Sequence, residues 1–133
     1  MEVDFDESGW PIVVARWKRS ILDVDLAPLL AKIDDWLSRG TRFGLLIDAR
    51  GAGGLSPEQR AQVIGHMRAN AALTKQRLVQ ATVIDNLVQR TLFYGMNLLF
   101  PNPFPSKVFG DTDAARRWLE SVLAESSAPR VSG

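Results

Sequence analysis

Apolar and polar positions along the chain change period several times, and each change marks an element. Val3 to Asp6 and Ile12 to Trp17 are short apolar or alternating runs separated by Glu7-Ser8-Gly9, with Pro11 opening the second; this predicts a β-hairpin. From Leu26 the period lengthens. Leu26, Leu29, Leu30, Ile33 and Leu37 recur at helical spacing, with Asp25 placed as N-cap, Pro28 in the tolerant first turn and Gly40 just past the end. Phe43 to Ile47 is a compact apolar run between Arg42 and Asp48, the pattern of a central strand covered on both faces. After a glycine-rich loop, Ser56-Pro57-Glu58-Gln59 combines a serine N-cap, proline at the first helical position and glutamine three residues on, the clearest local signal in the chain. The helix it opens carries Val63, Ile64, Met67, Ala71 and Leu78 on one side.

Val79 to Ile84 is a further β-rich run, and Asp85-Asn86 can cap a helix from Leu87 to about Leu99. Pro101-Asn102-Pro103-Phe104-Pro105 excludes regular structure, Lys107 to Phe109 is a short strand, and Asp111 to Asp113 caps a last helix with Ala115, Trp118, Leu119 and Val122 inward. The predicted order is β-β-α-β-α-β-α-β-α. An opening hairpin followed by β-α repeats implies an α/β fold with a mixed sheet of four to five strands and about four helices, the later strands parallel and joined by right-handed crossovers. The expected organisation is one domain over residues 1–125 and a small, polar, flexible tail over residues 126–133.

Composition narrows the chemistry. A chain of 133 residues with 46% hydrophobic content supports one core, and 16 basic against 15 acidic residues leave no overall field that would draw in nucleic acid. With no cysteine there is no disulfide framework or thiolate site, and with one histidine no histidine-rich zinc site. No cofactor is implied. The acidic start lacks a secretory pattern and no apolar run approaches the ~20 residues of a membrane span, so a cytoplasmic location is the default expectation.

Three stretches carry a family likeness: Leu45-Leu46-Ile47-Asp48-Ala49-Arg50-Gly51, Lys107-Val108-Phe109-Gly110-Asp111, and Ala114-Ala115-Arg116-Arg117-Trp118-Leu119. With the order of elements they make the chain, over roughly residues 4–123, resemble the STAS domain superfamily, and within it the SpoIIAA-like (STAS/SEC14) group of small bacterial proteins. The resemblance implies a SpoIIAA-like fold and a regulatory module acting through protein contacts, in some relatives through a small ligand. In the anti-sigma-factor antagonists of that superfamily an aspartate is followed by a phosphorylated serine or threonine. Asp48 matches the aspartate, but Ala49 and Arg50 follow it, so the phosphorylatable pair is missing.

Two candidate sites stand out. The loop bearing Asp48, Arg50, Gly51, Gly53, Gly54 and Ser56 leads to a helix N-terminus, where backbone N–H groups and an arginine fork suit an anion. It lacks the ending of a P-loop and the glycine spacing of a dinucleotide fingerprint. The loop also reads as a simple connection, and Ser56 as an N-cap that could accept a phosphate. His66 lies about 60° from Val63 on the helical wheel, a boundary position. The second site is the helix from Leu87, whose apolar residues exceed what one sheet face can bury: Phe93 and Phe100 lie more than about 100° from Val88. Leu92, Phe93, Tyr94, Met96, Phe100 and Phe104 form its expected partner or ligand surface, and Gly95 offers close approach. Neighbouring elements could equally cover that surplus. The leading expectation is a non-catalytic regulatory interaction module, contacting another protein or a second copy as a homodimer. The alternative is a carrier or sensor of a small apolar or acyl ligand, and the remote one a hydrolase or transferase using Ser56 or His66.

Overall fold

The computed structural model describes residues 3–19, 21–50, 55–99, 102 and 104–127, with Met96 described by its backbone alone. Five strands, β1 (Val3–Asp6), β2 (Ile12–Trp17), β3 (Phe43–Asp48), β4 (Leu78–Val83) and β5 (Ser106–Phe109), form one sheet in the order β1-β2-β3-β4-β5. β1 pairs antiparallel with β2, and every later pairing is parallel, as the hairpin and the β-α alternation predict. The helices are α1 (Leu26–Ser38), α2 (Pro57–Ala69), α3 (Ala71–Arg77), α4 (Leu87–Leu99) and α5 (Thr112–Ser127).

Strand alternation sorts the core into two layers. Phe43 and Leu45 of β3 and Leu78 of β4 join Leu29, Ile33 and Trp36 of α1 and Met67 of α2 on one face. Leu46, Val79, Ala81 and Val83 meet Ala115, Leu119 and Leu123 of α5 on the other. The crossovers α1 and α2 therefore lie on one face, with Phe93 of α4 packed there too, as strands stepping one way across a sheet with crossovers of one hand require. β3 sits mid-sheet, and its Gly44 is a close-approach position: a methyl group there would lie 3.1 Å from Leu119 Cδ2.

Four local expectations need correction. Asp25 does not cap α1 with its side chain; a 3-10 turn over Asp23–Asp25 precedes the helix, and the buried carboxylate accepts the Leu22 N–H at 3.1 Å. The helix opened by Ser56 does not continue to Leu78. It breaks at Asn70 (φ −119°, ψ 37°), α3 follows, and Leu78 is the first residue of β4, which raises the helix count from about four to five. Ala71 is exposed, so the predicted apolar side stops at Met67. Buried Thr74 holds the break, its hydroxyl donating to the carbonyls of Asn70 (2.9 Å) and Met67 (3.3 Å), a contact that no periodicity encodes. Finally, α5 runs through Ser127, two residues into the expected tail.

Candidate functional site

The helix start at Ser56 forms as its spacing predicts. Gln59 N–H donates to Ser56 Oγ (3.1 Å) and Ser56 N–H to Gln59 Oε1 (3.0 Å), while Gln59 Nε2 donates to the Ile21 carbonyl (2.9 Å) and Asp23 Oδ1 (2.8 Å). These bonds pin the first turn of α2 over the sheet. The rest of α2 contributes few apolar groups beneath it: Val63 and Ile64 are half-buried, and Met67 is buried. Opposite them the sheet presents small or polar side chains, Ala15 of β2 with Gln80 and Thr82 of β4. Too little volume faces too wide a gap, and a cavity of about 420 Å³ remains, within the range of small-molecule sites.

Trp17, Leu45 and Ile47 complete the floor, Leu29 and Ile33 of α1 form one wall, and Leu92 and Phe93 of α4 with Phe104 close another. The lining is overwhelmingly apolar. Among the described residues its polar members are neutral, Gln80, Thr82, Gln89 and Asn102, apart from one cation, Arg60 of α2. The Arg60 guanidinium lies 5.3 Å from the Phe93 ring centroid and donates through Nη2 to Asn97 Oδ1 at 2.7 Å. Its Nε is buried without a hydrogen-bond partner, and burial pushes its pKa down from the ordinary arginine value.

The two sequence-derived sites fare differently in space. Of the partner surface, Phe93 and buried Phe104 turn into the cavity, Leu92 stands at its edge and Tyr94 is exposed; the Met96 side chain and Phe100 lie outside the described residues. The outer side of α4 is strongly apolar: Leu87, Val88, Leu92, Tyr94, Leu98 and Leu99 are each 62–73% exposed. Among the described residues, neighbouring elements do not cover the surplus. A side chain at Gly95 would meet nothing within 4 Å, so nothing makes the close approach that glycine allows.

The loop site is a polar cluster at the C-terminal end of β3, where Arg16, Asp48, Arg50 and Asp85 converge. Arg50 grips the buried Asp48 carboxylate with two bonds, Nε to Oδ1 (2.9 Å) and Nη2 to Oδ2 (2.8 Å), and Arg16 Nε stands 3.7 Å from Oδ2. The arginine fork is thus engaged by the chain's own carboxylate. Gly51, Gly53 and Gly54 lie outside the described residues. Hydrogen bonding from Arg50 holds the Asp48 carboxyl below the usual aspartate range despite its burial. A carboxylate with a depressed folded-state pKa stabilises the fold above its unfolded pKa, and that contribution fades as pH falls through the folded value. Asp48→Asn is therefore expected to cost about 1–2 kcal/mol at pH 7, the arginines being free to resolvate, with the deficit shrinking as pH falls below the ordinary aspartate value of about 3.9. Urea unfolding of both proteins across pH 2–7 checks it.

His66, the boundary histidine, has a neighbour that sequence spacing concealed: Nε2 lies 2.8 Å from Asp34 Oδ1 across the α1–α2 contact. Ser56 caps the same helix ten residues earlier, about 15 Å along its axis, beyond direct proton transfer. Among the described residues no group of three potential metal ligands comes together, and no helix is long and apolar enough to cross a membrane. Sequence reasoning missed Arg60, Gln80 and Thr82. The last two carried a usable signal, polar residues two apart on an otherwise apolar strand, which marks one face as different.

No protein-family profile matches the chain, and no curated protein matches its sequence. Solved structures do. An uncharacterised protein of the DUF3478 family with a SpoIIAA-like fold, from Shewanella loihica PV-4, is similar over 88% of this chain and 91% of its own, with a TM-score of 0.60 and 16% identity. The anti-sigma factor antagonist SpoIIAA in its unphosphorylated form is similar over 87% of this chain and 95% of its own, with a TM-score of 0.57 and 15% identity. The chain has a SpoIIAA-like fold, as the resemblance of its motifs implies.

Proposed function

We propose that this protein is a non-catalytic regulatory module of the STAS type whose contact with a protein partner responds to a small apolar ligand. One observation carries the reading: a single helix, α4, separates the apolar cavity from an exposed apolar face. Phe93 touches the inside and Leu92 its edge, while Leu98 and Leu99 face outward. An exposed apolar patch on this scale favours a macromolecular contact, and a cavity of this size and lining favours a small hydrophobic guest. A guest beneath α4 would change the position or rigidity of the surface above it, which is how occupancy would reach a partner. The likeness to an anti-sigma factor antagonist supports regulation through protein contacts.

The ligand half is tested with 1-decanol, an uncharged chain of suitable size. The protein is expected to bind it saturably in calorimetry, and Val63→Trp, which fills the cavity from α2, to weaken binding at least about tenfold while the fold is retained. Equal binding by the variant would remove the cavity from the reading. The coupling half is tested by hydrogen exchange. Amides of α4 are expected to exchange more slowly with 1-decanol bound, and unchanged exchange there would separate the cavity from the helix surface.

A further inference from the structure

We infer that the ligand of this cavity is an aliphatic monocarboxylate, its chain among the apolar walls and its carboxylate paired with Arg60. The inference rests on the reading of the cavity as a ligand site and adds the head group. Arg60 shares a buried, unpartnered Nε with Arg90, but among the described residues it alone brings a cation to the cavity lining. Arg16, Arg39 and Arg50 each sit against an aspartate or glutamate and are exposed, whereas Arg60 is half-buried. Among the described residues Arg60 lines the cavity with no acidic residue in the lining, and its guanidinium makes one hydrogen bond, to Asn97. A guanidinium has five N–H donors, so most of its capacity is unspent, and its Nε is buried with no hydrogen-bond partner among the described residues.

A half-buried cation with no counter-charge in the cavity wall is less favourable than a paired one, and an anionic guest would supply the pair. Phe93 stabilises the guanidinium from one face but offers no acceptor. Among the described residues no second cation lines the cavity, so a singly charged anion matches it, and a phosphate dianion would be left half-neutralised. A carboxylate matches the guanidinium fork with two parallel hydrogen bonds. Size sets the chain: at about 30 Å³ for each water-sized group, the cavity takes on the order of a dozen heavy atoms, the size of a medium-chain carboxylate. Arg60 also joins α2 to α4 through Asn97 and Phe93, so a head group bound there would act on the contact that tethers α4.

The full chain is titrated by calorimetry with sodium decanoate and with 1-decanol, as wild type, Arg60→Met and Arg60→Lys. Wild type is expected to bind decanoate at least about tenfold more tightly than 1-decanol, as a charge-assisted bidentate pair should. Arg60→Met is expected to lose that preference, its decanoate affinity falling at least about tenfold while 1-decanol binding stays within about threefold. The ligand-free variant should melt no lower than wild type, since methionine removes a cation that had no counter-charge. Should Arg60→Met fail to fold, Arg60→Lys decides: decanoate is expected to weaken through loss of the fork while 1-decanol is unaffected. Undiminished decanoate binding by Arg60→Met, or by Arg60→Lys in its stead, overturns the head-group assignment while the cavity reading stands. Failure of wild type to bind either compound overturns both.

Discussion

Replacing Trp36 with alanine is expected to lower the unfolding free energy by about 4 kcal/mol, the largest single effect in this protein. The ring has no exposed surface, and it meets Phe5 of β1 edge-on (centroids 5.5 Å apart, planes at 74°) and Phe43 of β3 (6.2 Å, 62°). It therefore joins α1 to strands at the edge and the centre of the sheet. Its indole N–H donates to Glu7 Oε1 at 3.0 Å, in the turn of the opening hairpin, where Lys32 and Arg39 also reach the carboxylate. Trp36→Phe separates the two contributions, keeping most of the buried apolar area while leaving Glu7 to its two cations, and is expected to cost about 1–2 kcal/mol. The indole bond is the foremost reason that the Glu7 carboxyl sits below the usual glutamate range. With the folded-state pKa depressed, its stabilisation is present above the unfolded value and is lost as pH falls below about 4.3. Trp36→Phe should therefore flatten the acid limb of the stability curve. Chemical denaturation between pH 3 and pH 7 measures both effects, and an unchanged acid limb would sever Trp36 from Glu7.

Leu119→Ala is expected to cost about 3 kcal/mol, because the side chain is fully buried between α5 and the α5-facing side of β3 and β4. Its δ-carbons occupy the space over Gly44 that a side chain would fill. That arrangement predicts a coupling. Gly44→Ala alone places a methyl 3.1 Å from Leu119 Cδ2 and should cost about 1–2 kcal/mol through overpacking. In the Leu119→Ala background only the Leu119 Cβ, at 3.5 Å, remains beside it, so the same change should become neutral or stabilise by up to about 1 kcal/mol. Guanidinium unfolding of the four proteins closes the cycle. Additive costs would mean that Leu119 and Gly44 do not share the space.

Much of this fold is legible in the chain because its signals are local. The capping box at Ser56 and Gln59 is made by residues three apart, and the strand pattern of Phe43 to Asp48 is read from its own apolar density; both form as spacing predicts. The break at Asn70 was not legible, because Thr74 fixes it by reaching back to Met67 and Asn70 in a buried setting that helix propensity does not anticipate. The apolar excess of the helix from Leu87 was likewise visible, since it needs only a count of residues around a wheel. Which part of that excess faces inward was not.

The candidate site shows the division most sharply. By itself the sequence determined that an α/β sheet forms, where α1, α2, α4 and α5 begin, and that α4 carries more apolar surface than one sheet face can take, since caps and periodicities act over a few residues. Only the tertiary structure decided that Arg60 of α2 would stand among Gln80 and Thr82 of β4 and Phe93 of α4. It also decided that Arg50 would be spent on Asp48, and that His66 would meet Asp34. The reason is physical: such neighbours come from separate elements, and their meeting depends on strand register and crossover hand, and on how much volume α2 leaves unfilled beneath it.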